Sequence, residues 1–233
     1  MYIYMLKSIR LTYLSAVLSA ISLLLFNIPF CRYVAENAGG GFGGLCITAS
    51  LILIMLAVNF VAFYLLLFFC RTVGKVLIAV TFILNSVSLY FIKEYGVILD
   101  EGMMSNVFNT TYSEAVSYYS VAAILYIVFT GIIPCVLLFL VKVRYGTWSE
   151  MGKSVGVSLL IVSMLVLANI PNRAWLSRQS TVLGGLALPW SYIVNSIGLG
   201  VNQAMQDRDE VFLPVATVTN DNKDVVVLVI GES

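Results

Sequence analysis

Three side chains in the stretch DEGMMSNVFNTTYSEAVSYYS, residues 100–120, carry complementary polar chemistry at a regular interval. Asn106, Thr110 and Glu114 recur every four positions, so on one continuous helix they share a polar face. Met104, Val107, Phe108, Ala115 and Tyr119 make an apolar stripe on the same helix. An amide, a hydroxyl and a carboxylate in a row can take a zwitterionic head group. The carboxylate meets an ammonium, while the amide and hydroxyl donate to phosphate oxygens. The same spacing also describes the solvated face of an ordinary interfacial helix, and spacing alone does not separate the two.

A fourth candidate, Glu232, follows the apolar run 225–230 in KDVVVLVIGES. A run of this kind, buried on both faces, belongs inside a parallel α/β sheet. One strand does not make a sheet, so it reads as the first strand of a further domain.

Other chemistry is narrowed by what the sequence lacks. It has no histidine, the commonest general base and metal ligand near neutral pH. Its four cysteines, Cys31, Cys46, Cys70 and Cys135, have no C-x-x-C spacing and read as apolar fillers. Cys31 and Cys46 flank the loop AGGGFGG, where a disulfide is conceivable on an oxidising side. That loop lacks the Lys-Ser/Thr or the strand–turn–helix setting of a phosphate cradle and reads as a flexible turn. The NTT sequon at Asn109 is weak evidence by itself.

The elements that must position these residues are membrane helices. Hydrophobic residues make up 60% of the 233 and charged residues only 11%, with a mean hydropathy of +0.96. Too few charges are present to cover a water-facing surface, and the net charge of +1 gives no basic patch for nucleic acid. Segments 11–31, 46–70, 73–92, 120–141 and 154–170 are each long and apolar enough to span a bilayer, or nearly so. The first reads as a retained helix, because no small-residue cleavage site follows it.

Lys7, Arg10, Arg71, Lys75, Lys142, Arg144 and Lys153 fall on one side of these spans, which predicts that side to be cytoplasmic. The 93–119 connection and everything beyond about residue 171 then share the outer compartment. There Trp175, Trp190 and Tyr192 are expected at the membrane–water interface, and the segment after Pro189 reads as an amphipathic surface helix. The expected organisation is an all-α membrane domain of five transmembrane helices with outer-face amphipathic helices over residues 1–170. An interfacial helix and linker follow over 171–222, then the start of an α/β domain over 223–233.

Taken together, NVFNTTYSEA between the third and fourth spans, VVVLVIGES after the fifth, and the five-span layout resemble the lipid A phosphoethanolamine transferases. These are membrane-anchored enzymes with a sulfatase or alkaline-phosphatase-like catalytic domain, and they include mobile colistin-resistance enzymes. The likeness covers the membrane half of such a protein. It implies that Asn106, Thr110 and Glu114 engage the phosphatidylethanolamine donor, and that Glu232 is a ligand of the catalytic zinc. It further implies a bacterial inner-membrane location and a phospho-threonine intermediate on a residue this sequence does not contain. The acceptor it implies is lipid A or a related glycan. With one ligand and no histidine, the chain alone is expected to be inert.

A glycerol-phosphate transferase with the same layout is the nearest alternative, but its substrate brings no ammonium to Glu114. A non-enzymatic membrane subunit such as a transporter is a further one. Transporters place ionisable groups mid-membrane, and these spans are nearly free of charge.

Overall fold

The computed structural model describes residues 8–118 and 120–206; Glu232, the strand expected over 225–230 and most of the second half of the expected 171–222 linker lie outside the described residues. A two-residue strand β1 (Ile9–Arg10) leads into α1 (Leu11–Phe26) and α2 (Ile28–Asn37). These two helices are bent by 67° at Asn27. Pro29 sits in the first turn of α2 and has no N–H to continue the ladder of α1, so the predicted single helix over 11–31 is broken there. The glycine-rich turn follows, with positive φ at Gly39 and Gly41.

The next helix, α3 (Gly41–Tyr95), is interrupted at Arg71, whose φ of 41° and ψ of −103° are not helical. Phe63 and Phe82 would stand about 28 Å apart along a straight helix. Their ring centroids are 6.0 Å apart, so α3 folds back on itself at Arg71 and forms two adjacent rods. The close approach needs Gly74: a Cβ there would lie 2.3 Å from the Leu66 carbonyl oxygen. The boundary between the predicted 46–70 and 73–92 segments falls at this reversal.

Beyond the connection over residues 96–120, α6 (Val121–Leu140) contains a wide π turn over Ile127–Ile132. Pro134 follows directly, and the wider turn accommodates its ring and its missing N–H. β2 (Val143–Arg144) pairs in parallel with β1, a tie the sequence did not announce. α7 (Trp148–Ala168) begins six residues before the predicted 154, because Thr147 and Glu150 form a reciprocal capping box. α8 (Arg173–Arg178), α9 (Ser180–Leu186) and α10 (Trp190–Gln206) complete the described chain, with α9 and Trp190–Ala204 bent by 114°.

The core lies between α1 and the two rods of α3. Phe26 packs edge-on against Phe82 at 5.3 Å, Phe82 meets Phe63, and Tyr64, Leu67 and Ile78 are fully buried around them. Elsewhere large apolar side chains point outward along α6 and α7, as lipid-facing helices require. Among the described residues, Gly41–Tyr95, Val121–Leu140 and Trp148–Ala168 are long and apolar enough to cross a membrane, while α1 with α2 and α9 with α10 reach that length only as bent pairs.

The contacts sort the connections into two ends. Ile9 pairs with Val143, Lys75 Nζ donates to the Val141 carbonyl at 2.7 Å, and Arg71 stands over the Tyr145 ring at 5.2 Å. The cationic connections of the sequence thus share one end. At the other, Trp175 Nε1 donates to the Asn37 carbonyl at 2.9 Å, and the Leu99 amide donates to the Gly185 carbonyl at 3.2 Å. Cys31, Cys46, Cys70 and Cys135 are all free, so the conceivable Cys31–Cys46 disulfide is not formed.

Candidate functional site

Residues 100–118 lie at the end away from the cationic connections, and they form two short helices where one was expected. α4 (Glu101–Asn109) starts at Asp100, whose Oδ1 accepts from the Met103 amide at 2.8 Å. Met104 is buried and anchors it. α5 (Tyr112–Ser117) starts anew at Thr111. Between them Thr110 and Thr111 are extended, at ψ of 125° and 157°. Two β-branched residues in succession favour that backbone, and the Thr111/Glu114 capping box then starts a fresh helix. Asn106, Thr110 and Glu114 therefore do not lie along one continuous helical face. The expected stripe is divided too: Met104 is buried, whereas Val107, Phe108 and Ala115 are exposed. Tyr119 lies outside the described residues.

The break changes what each group offers. Thr110 Oγ1 donates its one hydrogen to the Asn106 carbonyl at 2.7 Å, so outward it presents lone pairs and not a donor. Glu114 Oε2 accepts from the Thr111 amide at 2.8 Å, which leaves its other oxygen to solvent. The Asn106 side-chain amide is exposed and is left as the donor of the three. The set is two acceptors, one of them anionic, beside one amide: a composition suited to an ammonium with a neighbouring oxyanion.

α10 holds α4 in place. Asn195 Nδ2 donates to the Leu99 carbonyl at 2.6 Å, and Asn202 Nδ2 donates to Glu101 Oε2 at 2.9 Å. A groove of about 280 Å³ runs between the two helices, lined by Ser105, Phe108, Asn109, Ser196 and Gln203 among others. The aromatic residues expected at the interface turn their polar atoms into the protein. Trp190 Nε1 donates to Asn59 Oδ1 at 2.8 Å, and the Tyr192 hydroxyl donates to Asn85 Oδ1 at 3.1 Å.

Asn27, Asn59 and Asn85 went unremarked in the sequence, although three amides inside apolar runs were a readable signal. Among the described residues no group of three or more His, Cys, Asp or Glu side chains could hold a metal ion. The described donor set does not fit a zinc site, and Glu232 lies outside the described residues.

Residues 55–204 match the family described as phosphoethanolamine transferase EptA/EptB. The chain belongs to that family. The phosphoethanolamine transferase EptA of Helicobacter pylori is 28% identical over 211 residues, 90% of this chain and 39% of that protein. The phosphatidylethanolamine transferase Mcr-1 of Escherichia coli is 33% identical over 112 residues, 48% of this chain and 20% of that protein. The solved integral membrane lipooligosaccharide phosphoethanolamine transferase A of Neisseria meningitidis shares the fold, with a TM-score of 0.70 at 23% identity. That likeness covers 85% of this chain and 37% of the solved one. The chain thus corresponds to the N-terminal membrane part of the family, well under half the length of these relatives.

Proposed function

We propose that the chain is the membrane domain of an enzyme that moves phosphoethanolamine from phosphatidylethanolamine to lipid A or a related surface glycan. It crosses the bacterial inner membrane five times, with the cationic end in the cytoplasm and α4, α5 and α8–α10 on the periplasmic face. Five crossings accord with the reversal at Arg71, which splits α3 into two rods. The observation that carries the reading is the exposed Glu114 carboxylate with the Thr110 lone pairs and the Asn106 amide, in a family of phosphoethanolamine transferases.

In this reading Glu114 and Thr110 take the ammonium of the donor and Asn106 donates to its phosphate. A threonine hydroxyl on a further domain attacks the donor phosphorus. The bond to the diacylglycerol oxygen breaks, and that oxygen leaves with a proton. A phosphate oxygen of the acceptor then attacks the phospho-threonine and releases the hydroxyl. Glu232, on the first strand of that further domain, is proposed as one zinc ligand. The added ammonium lowers the negative surface charge that cationic peptides exploit.

Expression of the full-length protein in a polymyxin-sensitive bacterium, followed by mass spectrometry of lipid A, tests the reading. Added phosphoethanolamine mass is the expected result. Good membrane expression without that mass would count against it. Expressing residues 1–233 alone is expected to add none.

A further inference from the structure

Three asparagines, Asn27, Asn59 and Asn85, are completely buried inside segments whose other buried side chains are mostly apolar, with a few serines. They come from the bend between α1 and α2, the first rod of α3 and the second rod. All three reach the same short piece of chain at the start of α10. Asn27 Nδ2 donates to the Leu188 carbonyl at 2.9 Å, Asn59 accepts from Trp190, and Asn85 accepts from Tyr192. Ser191, between the two aromatics, is itself buried.

The arrangement is costly. Asn27 Oδ1, Asn59 Nδ2, Asn85 Nδ2 and the Ser191 hydroxyl are buried without a hydrogen-bond partner among the described residues. Leucine at the same positions would fill space without that penalty, so packing alone does not account for three amides. What amides supply is direction: each fixes one point of residues 188–192 relative to one span. Three points define the placement of a rigid helix. α10 then passes that placement on, because Asn195 and Asn202 bind the Leu99 carbonyl and Glu101 at the start of α4.

We propose that Asn27, Asn59 and Asn85 form a polar latch that fixes α10 on the bundle and, through it, sets the position of α4 beside the head-group site. They are positioning residues, remote from the reacting atoms. Their effect on transfer rests on the functional reading above, whereas their effect on α4 and α10 does not.

The test uses the full-length protein with its native cysteines replaced and thiols introduced as Ser105→Cys and Ser196→Cys, which face the shared groove. Cross-linking by a short bis-thiol reagent reports how α4 sits against α10. The double variant Trp190→Phe with Tyr192→Phe leaves an aromatic ring at each position, a smaller one at 190, and removes both hydrogen bonds. It is expected to slow cross-linking about tenfold, the shift two neutral hydrogen bonds supply, and to raise the donor KM while kcat is held. An unchanged cross-linking rate overturns the latch. Should the double variant fail to reach the membrane, Tyr192→Phe alone is expected to slow the reaction about threefold, and no change there overturns the proposal as well.

Stability is separated from positioning by pairing Asn85→Leu with Tyr192→Phe, which removes both hydrogen-bonding partners and keeps the phenyl ring. Losing both partners restores the melting temperature, but cross-linking is expected to stay slow. Recovery of both together assigns the amides a structural role and overturns the latch. Full-length wild type that transfers no phosphoethanolamine would sink the functional reading, and the cross-linking rate would still judge the latch.

Discussion

At the end that holds β1, Arg71 and β2, neighbouring segments are joined through main-chain atoms and cations. Ile9 and Arg10 pair in register with Val143 and Arg144, and Lys75 caps the Val141 carbonyl. At the opposite end one main-chain bond, Leu99 to Gly185, stands beside ties made by side-chain amides, an indole and a phenol: Asn27, Asn59, Asn85, Trp190, Tyr192, Asn195 and Asn202. Main-chain pairing holds elements together whatever the side chains are. Side-chain amides hold them only in one orientation, and one substitution releases them. The first end therefore secures the bundle, and the second sets the geometry of the surface that carries Asn106, Thr110 and Glu114.

Perturbing the two ends should have different consequences, beginning with the reversal that makes the bundle possible. Gly74→Val drives a side chain into the Leu66 carbonyl and is expected to cost about 3 kcal/mol, seen as lost membrane abundance and a lower melting temperature. Near-normal melting would mean the two rods of α3 are not so closely apposed. Next in size, Glu114→Gln keeps the capping box, because glutamine at that position also returns to the Thr111 amide. It removes only the charge. Transfer by the full-length protein is expected to fall about thirtyfold, near 2 kcal/mol, with melting held. Undiminished transfer would return Glu114 to a purely capping role.

Smaller effects belong to the cationic end. Lys75→Met leaves the Val141 carbonyl without its donor, at about 1.5 kcal/mol, and should lower melting without touching transfer. A change in transfer at constant abundance would blur the distinction between the ends. Last, Arg71→Gly and Arg71→Ala both remove the cation over Tyr145, but only glycine suits a φ of 41°. The glycine variant should be the more stable by about 1 kcal/mol, and equal melting would contradict the strained turn.

The apolar runs and the basic connections between them were legible in the sequence, as was the presence of a helix after Pro189. Helix breaks were legible wherever a proline or a capping box marked them: Pro29 at the bend, Thr147 and Glu150 at the start of α7. The break at Thr110 and Thr111 carried the same T-x-x-E signal, but the four-residue recurrence of polar residues fits an uninterrupted helix equally well. The β1–β2 tie was not legible, since two residues pairing across more than a hundred carry no periodicity. For the site, residue types were readable, but hydrogen-bond commitments were not. That Thr110 spends its proton on the Asn106 carbonyl depends on the backbone geometry of the break.

The most direct measurement is photo-cross-linking of the full-length protein in bilayers with phosphatidylethanolamine carrying a photoreactive head group, with the labelled residues mapped by mass spectrometry. Labelling is expected to concentrate on residues 106–114 and to be suppressed by unlabelled phosphatidylethanolamine and not by phosphatidylglycerol. Labelling at the cationic end, or equal suppression by both lipids, would contradict that expectation.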